Sequence, residues 1–270
     1  MPGTLGVAVA QLRPRLRDTG TNLDVLRGIV AGNPGVDLIV FPELFLGGYT
    51  VRAVEELAVD GGGTELESIA GVARDHATAL VFGAAERTDG GIANAALCVD
   101  ANGDVAAVYR KYQLFGAEKE AFIAGDELVV VELGGVKTGV MICFDVEFPE
   151  IARALARAGA ELLVTISANM EPFGNDHAVF ASARALENGL PHVYVNQVGP
   201  GDEGLVFTGE SAVVSADGEI LARADASGEA VLLAEVPLAP SGTRESYLDE
   251  LRSPMPDVRI AQREARTESG

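Results

Sequence analysis

The sequence predicts an α/β or α+β layered domain with mixed sheets. Three observations predict it. Apolar, β-prone runs alternate with helical patterns through most of the chain. Two hairpin signals interrupt that alternation. Hydrophobic residues make up 48 % of the 270 positions and charged residues 22 %, which supports a large core and excludes a disordered composition. No solenoid-type repeat or low-complexity segment occurs. One domain is expected over residues 1–237, followed by a C-terminal extension, 238–270, rich in Pro, Ser, Arg and Glu and suited to contacts rather than core.

The elements follow in order. Leu5–Ala10 is predicted as a strand. Thr21 or Asn22 can cap a helix running to about Ala31. Val36–Phe41 is nearly all apolar, as expected of a strand covered on both faces. A helix over Glu65–Ala77 precedes a strand at Ala79–Ala84. Ala93–Val99 and Asp104–Arg110 are strands joined across Asp100-Ala101-Asn102-Gly103, and Leu128–Leu133 and Val136–Ile142 are joined around Gly134-Gly135. Pro149–Gly159 reads as a helix, Glu161–Ser167 as a strand, and Asn175 as the cap of a long helix stopped by Asn188-Gly189. His192–Val198 is a strand. Glu210–Ser215, Glu219–Ala222 and Ala230–Val236 suggest a closing antiparallel set.

Charge excludes several function classes. The formal net charge is −20 and the pI about 4.4. Nucleic-acid binding needs a basic face, and an anionic membrane surface is disfavoured for the same reason. The acidity reads as a solvated surface. The first residues do not lead from a basic region into a long apolar stretch, and no run approaches the ~18 apolar residues of a membrane helix. The expected setting is a reducing cytoplasm, with Cys98 and Cys143, the two cysteines, as free thiols.

Three reactive side chains each follow an apolar, strand-like run. Cys143 ends Val140-Met141-Ile142, at the kind of strand end where α/β folds place active sites. Taken alone it reads as a small core residue. The polar residues after it (Asp145, Glu147, Glu150) place it at a sheet edge instead. A thiol needs a base or a cation nearby to attack. Glu43 comes after Ile39-Val40-Phe41-Pro42, where proline turns the chain, and is a candidate general base. Lys111 is one of only three lysines. It follows the second hairpin strand and is a candidate fixed cation, stabilising an oxyanion together with a backbone N–H near Phe144. Taken alone, Glu43, Lys111 and Glu118 are ordinary surface charges. His76, His177 and His192 form no ligand-spaced cluster, so a zinc site is unsupported. No GxSxG, P-loop or dinucleotide fingerprint is present.

Together these stretches resemble the nitrilase superfamily of carbon–nitrogen hydrolases. FPELFLGGY around Glu43, YRKYQLFG around Lys111 and MICFDVEFPE around Cys143 look like its three motifs, in order. Further similarity runs through SANM from Ser167, ARALENG from Ala183, VNQVG from Val195 and FTGESAVVSADGEI from Phe207. The resemblance implies a four-layer αββα sandwich and a homodimer or higher homo-oligomer. It also implies thiol attack on an amide with release of ammonia, water hydrolysing the thioester, and no cofactor or metal. Glu118 best matches a second family glutamate that positions Lys111, with Glu120 as the fallback. Gln113 stands where the lysine motif often carries histidine.

Phe144-Asp145 follows the cysteine where true nitrilases carry Trp-Glu. A small aliphatic or aromatic amide is therefore the expected substrate, ahead of an N-carbamoyl compound and then a nitrile. A non-catalytic scaffold is disfavoured because every reactive position is filled. Loops at Tyr49–Val54, Gln113–Ala124, Met170–His177 and Gly199–Phe207 are expected to line the pocket, with Tyr49, Phe144, Asn169, Met170, Phe173 and His177 as substrate contacts and Phe207 adding apolar surface.

Overall fold

The computed structural model describes residues 3–239 and 247–250. The first half of the chain supplies β1 (Thr4–Gln11), α1 (Thr19–Gly32), β2 (Leu38–Val40), α2 (Val54–Leu57), α3 (Thr64–His76), β3 (Ala79–Thr88), β4 (Gly91–Val99), β5 (Val105–Arg110) and α4 (Glu118–Ala121). The second half supplies β6 (Val130–Leu133), β7 (Val136–Ile142), a 3-10 turn at Cys143–Glu147, α5 (Pro149–Arg157), β8 (Leu162–Ser167), α6 (Gly174–Asn188), β9 (His192–Asn196), β10 (Val198–Pro200), β11 (Val206–Thr208), β12 (Ala212–Val214), β13 (Ile220–Arg223), β14 (Ala230–Pro237) and α7 (Tyr247–Glu250).

Two six-stranded mixed sheets result, ordered β14-β1-β2-β3-β4-β5 and β13-β12-β9-β8-β7-β6. At the centre of each, three strands run parallel: β1, β2 and β3 in the first, β7, β8 and β9 in the second. Side-chain alternation explains the layering. Val7, Val9, Leu38, Val40, Val81, Val140, Ile142, Val164 and Ile166 meet in one core between the sheets. Their sequence neighbours Ala8, Ala10, Ile39, Leu80 and Phe82 pack outward against Leu26 and Val30 of α1 and Leu66, Ile69 and Ala73 of α3. On the far side, Met141 and Leu163 pack against Ile151, Ala152 and Leu155 of α5, and Tyr194, Ala212 and Val214 against Ala181 and Ala185 of α6. Helices, sheet, sheet, helices is the four-layer αββα sandwich expected. Both faces of each central strand are covered, so their sequences read as continuous apolar runs.

Several boundaries differ from the sequence reading. The closing strands do not form one set. β12 and β13 pair with each other beside β9, whereas β14 crosses to the other sheet and pairs antiparallel with β1 along its whole length. Alternation along a strand says which face is buried, not which neighbour it finds. β3 runs on to Thr88 and forms a long hairpin with β4. Helix α1 begins at Thr19 and is capped by Asp18, which accepts from the Thr21 amide at 3.0 Å. Asn22 is buried and holds the carbonyls of Arg15 and Leu46. Asn175 lies inside α6, which has no side-chain cap. The Asn188-Gly189 stop is present, with Gly189 in the left-handed region. Most of the 238–270 extension lies outside the described residues; α7 lies against α6. Among the described residues no helix is long and apolar enough to cross a membrane.

Candidate active site

Glu43, Lys111 and Cys143 come from the ends of β2, β5 and β7. The Glu43 corner is shaped by a neighbouring strand. Pro42 ends the ladder, Leu44 turns back with φ +48°, and the loop lies directly on Gly83 of β3. A Cβ there would sit 2.2 Å from the Leu44 nitrogen and 2.5 Å from the Pro42 oxygen, so only glycine admits this approach. Gln197 Nε2 donates to the Glu43 carbonyl at 2.7 Å, and Asn94 Nδ2 donates to Oε1 at 2.6 Å. The second carboxylate oxygen, Oε2, is buried and has no hydrogen-bond partner.

Lys111 is pinned through its backbone. Its amide donates to the Asn94 carbonyl at 2.8 Å, and its carbonyl accepts from Gly125 at 2.9 Å. Its Nζ donates to Glu43 Oε1 at 2.7 Å and to Glu118 Oε1 at 2.9 Å, with Glu118 Oε2 at 2.8 Å. Glu118 is held in turn by the Tyr49 hydroxyl at 2.8 Å and the Phe115 amide at 2.9 Å. Glu120 is exposed, so Glu118 is the glutamate that meets the lysine.

All three charges are sealed from water: Glu43 and Lys111 are 0 % exposed and Glu118 1 %. Burial opposes the Lys111 charge, but the carboxylates of Glu118 and Glu43 outweigh it and hold the ammonium well above the usual lysine range. Burial pushes the Glu43 carboxyl above its ordinary value against the pull of Lys111.

Cys143 opens the 3-10 turn at the end of β7 with φ +45°, a strained value for a residue with a Cβ. Asp145 holds this turn. Its Oδ2 accepts from the Ile142 amide at 2.9 Å and the Tyr109 hydroxyl at 2.7 Å, and its Oδ1 accepts from the Gln113 amide at 2.8 Å. One buried carboxylate thus ties the cysteine turn to the chain on both sides of Lys111. From α6, Arg184 adds bonds to the carbonyls of Val146 and Glu147. Gln113 takes part through its backbone, so the substitution in the lysine motif leaves this contact untouched. Burial pushes the Cys143 thiol up and the Glu43 carboxylate pushes it further, while Lys111 and the Ser167 hydroxyl pull it down. An acid, an ammonium and a thiol therefore interact electrostatically in one sealed site.

The expected substrate contacts divide into two groups. Phe144 and Phe173 flank Phe115, at ring distances of 5.2 and 6.0 Å, and Phe144 also meets Phe148 at 5.1 Å. Met170 bridges to Phe207 in an apolar cluster with Tyr49, Leu44, Phe122 and Ala168. The other group already bonds within the protein, Asn169 through its backbone amide and its Nδ2. The Tyr49 hydroxyl is given to Glu118. Asn169 spans Asn196 and the Phe173 carbonyl. His177 is buried, with its ring nitrogens at Tyr194 and Glu147. Asn94, Gln197 and the clamping role of Asp145 escape sequence reasoning. A polar Asn94 inside the apolar run IANAALCV was the available signal, since buried amides need partners.

A cleft of about 1050 Å³ opens nearby between residues 12–18 and 197–202. Tyr49, Gln197 and Phe207 line it, but Glu43, Lys111 and Cys143 do not. Its size does not make it the reactive centre; the convergent charges lie elsewhere.

Comparison with known proteins gives a consistent picture. The carbon–nitrogen hydrolase family model matches residues 6–243. An (R)-stereoselective amidase of Pseudomonas sp. is 39 % identical over 220 residues, covering 81 % of this chain and 80 % of that protein. A probable nitrilase of Schizosaccharomyces pombe is 32 % identical over 264 residues, covering 93 % and 96 %. The crystal structure of an amidase from Nesterenkonia sp. superposes with a TM-score of 0.81 at 31 % identity, covering 93 % of this chain and 95 % of that one. A mutant of that amidase carries the acetamide moiety of fluoroacetamide covalently on its active-site cysteine.

Proposed function

The chain belongs to the carbon–nitrogen hydrolase family, and from that premise we propose that it is an amidase releasing ammonia from a small carboxamide through a thioester on Cys143. The observation that carries this reading is the Glu43 carboxylate. One oxygen is held by Asn94 and Lys111, and the other, equally buried, is open. An unpaired buried acceptor costs stability, and here it is suited to take a proton from a thiol or a water. The cysteine-bound acetamide of the Nesterenkonia amidase mutant supports the part of this reading in which the cysteine is the nucleophile.

In this mechanism Glu43 takes the Cys143 proton as sulfur bonds to the amide carbon. The carbonyl electron pair moves onto oxygen, where the Lys111 ammonium and the Phe144 amide at the start of the 3-10 turn meet it. Glu118 keeps Lys111 in place. Collapse breaks the C–N bond as Glu43 passes the proton to nitrogen, and ammonia leaves. Water then attacks the thioester carbon and gives its proton to Glu43. The second collapse releases the carboxylic acid and returns the proton to sulfur. The aromatic surface of Phe115, Phe144 and Phe173 and the apolar cluster around Met170 suit a small aliphatic or aromatic acyl group.

The test is ammonia release from a panel of amides, N-carbamoyl compounds and nitriles, with wild type and Cys143→Ala. Amides are expected to turn over fastest, and the variant to be inactive with unchanged circular dichroism. Turnover surviving in the folded variant would end the reading. We also read residues 1–237 as the catalytic unit, since β14 completes the first sheet, and the outer face of α5 and α6, with Val179 exposed, as the face for a second copy. Light-scattering mass checks the dimer.

A further inference from the structure

One buried amide takes no step in the reaction above, yet it bonds to both members of the Glu43–Lys111 pair. Asn94 lies on β4, on the face that carries Ala96 and Cys98 into the core between the sheets. It is 0 % exposed. Its side-chain Nδ2 donates to Glu43 Oε1 at 2.6 Å, and its backbone carbonyl accepts from the Lys111 amide at 2.8 Å. Its Oδ1 is buried and has no hydrogen-bond partner. Among the described residues, the bond to Glu43 is therefore the one hydrogen bond that the Asn94 side chain makes.

The two glutamates on Lys111 are held differently. Both oxygens of Glu118 are filled: Oε1 takes Lys111 Nζ and the Tyr49 hydroxyl, and Oε2 takes the Phe115 amide. Both donors to the Glu43 carboxylate meet one oxygen, Lys111 at 2.7 Å and Asn94 at 2.6 Å on Oε1. The terminal torsion of a glutamate is soft and two-fold. A single donor lets the carboxylate plane turn about that contact. Two donors on the same oxygen fix the plane, and with it the direction of Oε2. A leucine of similar volume would suit the apolar run around position 94 and would leave no unpaired amide oxygen, so packing does not account for an asparagine here.

We propose that Asn94 is a positioning residue that holds Glu43 Oε1 against Lys111 and thereby aims Oε2 as the proton acceptor. The inference rests on Glu43 being the base of the mechanism above. The same bond acts on charge. Burial raises the Glu43 carboxyl, Lys111 pulls it down, Glu118 raises it, and the Asn94 bond pulls it down. Cys143, Tyr49 and Tyr194 also sense the Glu43 charge. Losing the Asn94 donor favours the protonated carboxyl, and a protonated Glu43 takes no proton from sulfur.

The test measures kcat and KM for an amide against pH in wild type, Asn94→Leu and Asn94→Asp. It also follows iodoacetamide alkylation of Cys143, read on its peptide by mass, in wild type, Asn94→Leu, Glu43→Gln and the double variant. All keep the backbone bond from Lys111 to position 94. Asn94→Leu is expected to lower kcat at least about tenfold at neutral pH, the worth of one hydrogen bond to a charged group, with little change in KM. Its acid limb should move to higher pH, so that the deficit shrinks as pH rises. Asn94→Asp keeps the shape but sets an acid where the donor was, and should move the limb further. Asn94→Leu should slow alkylation in the wild-type background and add nothing to Glu43→Gln, because it acts through Glu43. An unmoved limb in a folded Asn94 variant, or equal slowing by Asn94→Leu in both backgrounds, overturns the proposal. If Asn94→Leu does not fold, the limb of Asn94→Asp decides. Turnover in folded Cys143→Ala, or full activity in Glu43→Gln, would instead sink the amidase mechanism itself, so the two failures are distinguishable.

Discussion

Cys98 and Cys143 are both free and buried, yet they sit in opposite environments. Cys98 lies mid-strand in β4, paired with Val81 on one side and Ala107 on the other. Burial alone acts on it and pushes its thiol up to about 12. Cys143 lies one residue past the end of β7, in a left-handed turn; burial and Glu43 push its thiol up no less than that of Cys98, but Lys111 and Ser167 act against them. Low accessibility therefore does not separate an inert thiol from a candidate nucleophile. The difference is a strand end against a strand middle, and a set of opposed charges against aliphatic neighbours.

The sharpest way to break the comparison is to remove the proton acceptor. Glu43→Gln should lower kcat/KM at least ~10²-fold, the lower range for a positioned acid–base group. A loss under tenfold would leave Cys143 no more special than Cys98. Gly83→Ala comes next. The new methyl would collide with the Glu43 loop, so activity should fall tenfold or more with a stability loss of about 1–3 kcal/mol. A fully active, equally stable variant would show that the loop position is not critical.

The pH profile sharpens the contrast further. Burial raises the Glu43 carboxyl, and the base must be ionised, so activity should rise with pH through a midpoint above the ordinary glutamate value. A limb at or below that value would contradict the burial account. Native-state iodoacetamide at pH 8 should label Cys143 well before Cys98, as peptide mapping would report; equal slow labelling would erase the distinction. The smallest effect belongs to Cys98→Ser. Activity should stay within a few-fold, with about 1–3 kcal/mol of stability lost by burying a hydroxyl among apolar neighbours. A folded but inactive variant would reverse the roles of the two cysteines.

The layered fold and the reactive stretches were legible because they are local. Apolar runs ending in Glu43, Lys111 and Cys143 mark strand ends whatever the strands pair with. What was not legible depends on partners distant in sequence. β14 alternates like any closing strand, and nothing in its residues says that β1 rather than β13 will receive it. Asp145 was visible as a polar residue leaving the sheet, but its bonds to Gln113 and Tyr109 exist only once the two sheets are stacked. Asp18 was passed over as a cap for Thr21 or Asn22, because Asn22 is a good cap type that is used instead to hold a buried loop. Tyr49 and His177 are polar aromatics beside a pocket, and only coordinates reveal that their polar atoms are already spoken for.

Lys111 sheds its hydration shell when the chain folds, long before any amide arrives. Solvent around that cation has nothing left to rearrange as charge grows on a neighbouring oxygen, which is the condition under which a fixed dipole or ion acts most strongly. The same arrangement makes the centre a standing weak point of the sandwich. Three desolvated ionic groups occupy a volume that hydrocarbon would fill more comfortably, so variants selected for heat resistance alone should drift toward losing them, and their chemistry with them.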